Sequence, residues 1–152
     1  MLPQVLDEAR PILYGMNFRF DNTATLLQFL IQVGDKVRKL LSFVEIGLYQ
    51  PKNAMNALAM LGECRALQRV HIGQGVAINA TPQKAAKAFF ADAGRFLESQ
   101  ASYKGDKDSA LQLLNFGKSV KCFSIKEGDG GVRAWSDEEK HEFVKLLAMK
   151  FK

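Results

Sequence analysis

One six-position skeleton recurs in this chain: an apolar residue, two variable residues, an apolar residue, one variable residue and isoleucine. It appears as LSFVEI (41–46), LQRVHI (67–72) and VKCFSI (120–125). The first position falls at Leu41, Leu67 and Val120, so the copies stand 26 and then 53 residues apart, the second interval close to two periods. Stepping back 26 residues from Val44 and Ile46 lands on Phe18 and Phe20 in MNFRF, a fourth copy with Gly15 in the first slot. A strand-like motif returning at a period of roughly 20–29 residues restricts the fold strongly, because each unit must supply one strand and one return that stacks on its neighbour.

The pattern inside each copy says which way the side chains point. In SFVEIGL, Val44, Ile46 and Leu48 share one face and Phe43, Glu45 and Gly47 the other; in QRVHIG, Val70 and Ile72 oppose Arg69, His71 and Gly73. Strands covered on both faces read as near-continuous apolar runs. The alternation therefore predicts one sheet face open to water and all helices on the other, with a doubly wound, flavodoxin-like sheet as the competing arrangement.

The intervening segments read as helices. Leu26, Leu27, Leu30, Ile31 and Val33 recur at helical spacing after Asp21 and Asn22, which are N-cap residues by type. Pro51 opens PKNAMNALAMLGEC, and Thr81-Pro82 opens a longer helix, QKAAKAFFADAGRFLESQA, followed by the turn YKGDKD and a second helix, DSALQLLNFG. These last two fill the double-length interval and predict a helical insertion over 75–118. Ser136 and Glu139 form a capping box for a helix in SDEEKHEFVKLLAMKFK. That helix, with Trp135 before it, caps the C-terminal end over 135–152. A helix in LPQVLDEARPILYG, interrupted at Pro11, caps the other end, and EGDGGVRA (127–134) reads as a glycine-rich linker. The expected fold is α/β: one domain over 1–152, a short leucine-rich-repeat-like β-α solenoid with four parallel strands and helices on one face.

The sequence also resembles the leucine-rich-repeat-like region of F-box-type and uncharacterised fungal proteins. The likeness runs over residues 6–74, where a helix like DEARPILYG leads into a strand like MNFRF and a helix like TLLQFLIQVG, and returns in LLNFGKSVKCFSI. LGECRALQRVHI resembles the repeat L-x-x-C-x-x-L-x-x-V-x-I, with Cys64 as its buried cysteine. The insertion over 75–118, the small number of repeats and the lack of a full F-box ahead of them depart from that family. What the resemblance implies is a protein-binding scaffold.

Stacking the four strands in repeat order displays Arg19, Glu45, His71 and Ser124 in one row of the open face, and Asn17, Phe43, Arg69 and Cys122 in the next. Charged and aromatic side chains so placed suit a protein partner, and the expected binding residues are Arg19, Phe43, Glu45, Arg69, His71 and Ser124. Ser124, His71 and Glu45 are also the residue types of a hydrolytic triad. However, KCFSIKEG lacks the strained nucleophile turn, and the expectation is a chain that is not an enzyme. The net charge is +5; Lys36, Arg38 and Lys39 form one basic cluster, and a second group runs from Lys118 onward, interrupted by acids, in which Lys118, Lys121, Lys126 and Arg133 are the candidate phosphate contacts of an alternative, nucleic-acid-binding reading.

Composition and motif searches bound the rest. Hydrophobic residues make up 47% and charged residues 24%, an ordinary globular balance, and no apolar run approaches the roughly 18 residues of a membrane span. IGQGVAIN holds only a GxG pair and NFGKS only the GKS of a phosphate loop, so no cofactor is expected. Cys64 and Cys122 lack metal-ligand spacing, which points to no metal and to a reduced, intracellular protein, cytoplasmic or nuclear. The N-terminus lacks a basic region followed by an apolar block, so it does not read as a signal. An exposed terminal strand would also offer an edge for a homodimer.

Overall fold

The computed structural model describes residues 17–128 and 130–151. The helix expected in LPQVLDEARPILYG, the Gly15 slot, the side chain of Asn17, and residues Asp129 and Lys152 lie outside the described residues. The described chain runs β1 (Asn17–Asn22), α1 (Thr23–Arg38), β2 (Phe43–Leu48), α2 (Pro51–Leu61), β3 (Arg69–Gln74), α3 (Pro82–Lys104), α4 (Lys107–Gln112), β4 (Leu114–Phe116), β5 (Ser124–Glu127), β6 (Gly131–Ala134) and α5 (Asp137–Lys150). The first four strands form one parallel sheet in the order β1-β2-β3-β4, and β5 pairs with β6 as an antiparallel hairpin.

Register explains the 26-residue period. Arg19 pairs with Glu45 and Glu45 with His71; likewise Phe20 pairs with Ile46 and Ile46 with Ile72. Each strand–helix unit thus returns the chain one strand over at the same height. Phe20, Val44, Ile46, Val70 and Ile72 are buried with Leu26 and Leu30 of α1, Ala54 and Leu58 of α2, and Phe89 and Phe96 of α3. Arg19 and Arg69, of the opposite parity, are exposed.

Local signals set the helix starts. The Asn22 side chain accepts from the Thr25 N–H at 2.8 Å, Pro51 occupies the first turn of α2, and the Thr81 hydroxyl accepts from the Lys84 N–H at 3.3 Å. Helix α3 stops at Gly105, which takes the left-handed conformation with φ 74°. Gly34, at φ 75° and ψ 178°, interrupts α1, a break that the apolar spacing there does not announce.

The fourth strand is not where the skeleton placed it. Residues 114–116, expected within a helix, form β4, while α4 ends at Gln112. VKCFSI pairs further along the chain that leaves β3: the N–H groups of Gly75 and Ala77 donate to the carbonyls of Lys121 and Cys122, and Ala77 faces Phe123 in a single parallel bridge. The segment then enters the hairpin, so EGDGGVRA is a turn and strand as well as a connection. The physical reason lies in the glycines. Gly47, Gly73 and Gly117 follow the core-facing positions Ile46, Ile72 and Phe116, and an added Cβ would lie 2.8 Å from the Asp21 carbonyl oxygen, 3.3 Å from that of Gly47 and 2.3 Å from that of Gly73. VEIG, VHIG and LNFG fit beside a preceding strand at that height. FSIK in VKCFSIK does not, because lysine stands in the glycine slot.

Aromatic side chains close the β4 end of the core. Phe89 of α3 packs against Tyr49, Phe116 and Phe143 at centroid distances of 5.6, 5.6 and 5.9 Å, and Trp135 stacks on Phe123 at 4.6 Å while its indole N–H donates to the Ala80 carbonyl. The buried Tyr49 hydroxyl donates to Asp92, joining the top of β2 to α3. Burial first, then Asp92, pushes that hydroxyl's pKa well above its ordinary value. Gln100 donates to the carbonyls of Gly62 and Cys64 at 2.9 and 3.0 Å, satisfying backbone acceptors where α2 ends.

The α5 start carries a pH dependence. Ser136 and Glu139 exchange the two bonds of the capping box, and Arg133 donates to Glu139 at 2.6 Å. The Arg133 hydrogen bond, followed by the Ser136 N–H, holds the Glu139 carboxyl below the usual carboxylate range. A depressed carboxyl stabilises the fold above its unfolded pKa of about 4.3 and loses that contribution as pH falls through the lower folded value. Glu139→Gln is therefore expected to lower the melting temperature at pH 7 and to differ progressively less from the wild type below about pH 4. A difference independent of pH would contradict this assignment.

Candidate functional site

The open face of the parallel sheet gathers most of the residues singled out by the repeat. In a sheet, neighbouring strands lie about 4.8 Å apart, so side chains at one height touch. Arg19 Nε stands 3.4 Å from Glu45 Oε2, and the two side chains retain 73% and 33% of their exposure, which leaves them available to a partner. His71 Nδ1 lies 2.7 Å from Asn115 Oδ1. Because Asn115 Oδ1 only accepts, Nδ1 is the donor in that bond. One step toward the strand starts, Phe43 is half-buried and pairs in register with the exposed Arg69.

The glycine slots shape the next level. With no side chains at Gly47 and Gly73, the sheet there presents bare backbone as the floor of a shallow groove of about 360 Å³. Its walls include Arg19, Asp21, Glu45, His71, Gln74 and Ser119. Asp21 occupies the glycine slot of β1, where among the described residues no preceding strand stands in the way. Arg19 and Arg69 against Asp21 and Glu45 make the face mixed in sign, a pattern suited to another protein's hydrogen-bonding surface more than to a uniformly anionic backbone.

Ser124 does not belong to this row. It is buried, its hydroxyl accepts from the Asn79 N–H at 2.9 Å, and its own N–H donates to the Ala77 carbonyl at 2.8 Å. The fourth position, opposite His71, is Asn115. Ser124, His71 and Glu45 therefore do not assemble as a group, because the short β4 already occupies the edge that the serine strand was expected to take. Cys122 moves with it: expected on the open face, it is fully buried, with Sγ 3.8 Å from the Ile72 carbonyl oxygen. Burial pushes the Cys122 thiol up to about 11 and the Cys64 thiol, also buried, up to about 12.

The basic residues of the C-terminal third separate into two kinds. Lys118, Lys121 and Lys126 are exposed on the segment after β4 and on the hairpin. Arg133 is already engaged, with Glu139 at 2.6 Å and Glu127 at 3.5 Å, so a phosphate would have to displace two carboxylates. Among the described residues no group of three or more metal-ligand side chains converges, and no helix is long and apolar enough to cross a membrane.

Repeat reasoning missed Asn115, Asp21, Gln74 and Ser119. Asn115 was legible from LNFG, which shares with VEIG and VHIG an outward polar residue between two apolar ones ahead of the glycine. The other three carry no comparable signal, since their place in the groove depends on how the strand tops and the following segment sit. Comparisons with protein-family models, with curated proteins and with solved structures find no match.

Proposed function

We propose that this chain is a non-enzymatic, leucine-rich-repeat-like interaction module that binds a protein partner through the open face of its parallel sheet. The observation that carries the reading is the uncovered row Arg19–Glu45 and His71–Asn115, running across four strands beside Phe43 and Arg69. Interfaces draw their energy from a few aromatic and arginine anchors set among satisfied polar groups. Phe43, Arg19 and Arg69 supply the anchors, and the groove over Gly47 and Gly73 accommodates a partner side chain lying flat on the backbone. The resemblance to fungal F-box-type repeats points the same way, and two buried free thiols suit a reducing, intracellular setting.

The test is a pull-down from lysate of the source cells, with and without nuclease, comparing the wild type with Glu45→Arg/Arg69→Glu. The double reversal is expected to weaken capture of a nuclease-resistant protein partner by at least about tenfold, or about 1.4 kcal/mol. Unchanged capture would contradict the proposal. A second reading, nucleic-acid binding, rests on Lys118, Lys121 and Lys126, which are exposed and have no ion pair among the described residues. It requires capture that disappears with nuclease and an affinity that falls steeply with salt.

A further inference from the structure

A second recognition element lies at the edge of the sheet. Strand β4 is the last of the four, and its bonds to β3 alternate: the Leu113 carbonyl accepts from the Val70 N–H, and the Gly117 N–H donates to the Ile72 carbonyl, both at 2.8 Å. With Leu113, Asn115 and Gly117 turned toward β3, the intervening Leu114 and Phe116 turn their N–H and C=O groups away from it. Among the described residues no backbone group pairs with them on that side.

Helix α5 stands beside this edge without closing on it. Between the two is a cleft of about 290 Å³, with Leu114, Phe116, Phe123 and Phe143 among its apolar lining and Lys118 and Lys140 among its charged groups. Val144, on the helix side, keeps 48% of its exposure. Among the described residues Asp137 is the single carboxylate lining the cleft, against the two lysines.

These features together specify an occupant. Free strand donors and acceptors recognise an extended backbone, which adds to a sheet edge as a further strand. An aromatic lining beside them takes an apolar side chain from every second residue of such a strand. The excess of lysine favours acidic residues on either side. We propose that the β4–α5 cleft docks an extended segment of a partner protein, an apolar residue flanked by acidic ones, as a fifth strand of the sheet. This site adjoins the open face at Asn115 but differs from it, because its other contacts come from the strand edge and α5.

The experiment titrates the full-length, isotope-labelled protein with an acetylated, amidated peptide of sequence Glu-Val-Phe-Val-Glu and follows backbone amide shifts. Saturable binding below about 1 mM, with the largest shifts at Leu114, Phe116, Lys118 and Val144, is expected. Three comparisons bear on the cause. Methylating alternate peptide nitrogens should abolish binding, replacing both glutamates by lysine should weaken it at least about tenfold, and Val144→Trp, which fills the cleft from an exposed position, should prevent it. Equal binding of the methylated peptide, shifts confined to the open face, or no saturation would overturn the proposal. So would concentration-dependent self-association through β4 that the peptide does not relieve, since the occupant would then be a second copy of the chain.

Discussion

Replacing Phe89 by alanine is expected to cost about 3–5 kcal/mol of stability, the range for removing a buried phenylalanine from a packed core. Phe89 is 1% exposed and meets Tyr49 from the end of β2, Phe116 from β4 and Phe143 from α5. One side chain on α3 thus ties the regular part of the sheet to its irregular end. Urea unfolding measures the effect. The same substitution at the neighbouring Phe90, which is only half-buried, should cost clearly less. Equal losses at the two positions would mean that the aromatic cluster does not carry the junction.

The second large effect is expected at Gly117. An alanine Cβ there would lie 2.3 Å from the Gly73 carbonyl oxygen, and the obstacle is backbone that no rotamer change can relieve. Relief requires β4 to move away from β3. The cost should reach or exceed the upper end of the about 1–3 kcal/mol typical of overpacking. It should also separate Asn115 from His71, whose 2.7 Å contact depends on that pairing. Gly94→Ala is the control: that glycine lies within α3, and its nearest neighbours to an added Cβ are at 3.9 Å. A helical glycine replaced by alanine should gain about 0.5–1 kcal/mol. Chemical denaturation of both variants, with the His71 and Asn115 resonances followed by NMR, distinguishes loss of the β4 pairing from a general loss of stability.

The repeat made the first three strands, their order and their side-chain parity legible, because a constant period with alternating burial leaves one parallel register. Helix starts were legible for a different reason: Asn22, Thr81 and Ser136 satisfy exposed N–H groups through short side chains, a local interaction encoded in the residues themselves. The end of the sheet was harder. VKCFSI matches the apolar skeleton, yet the glycine slot decides the fourth strand, since it reports how closely two backbones approach. LNFG meets that requirement, but its three strand residues are too few for alternation alone to stand out against the helix before it, and only the likeness to VEIG and VHIG marks them. Ser124 was misplaced as a consequence, and Asn115 took its position in the row. The groove walls at Gln74 and Ser119 come from the end of β3 and the segment after β4, where no periodicity operates.

For the open face as a protein-binding surface, the most direct measurement is site-specific photo-crosslinking in lysate of the source cells. A photoreactive amino acid is placed at Phe43 on that face, or at Lys87, an exposed position on α3. The account predicts a discrete, nuclease-resistant protein adduct from position 43 that is absent from position 87 and lost when Glu45→Arg/Arg69→Glu is introduced. An adduct that forms equally from both positions, or one that survives the double reversal, would contradict it.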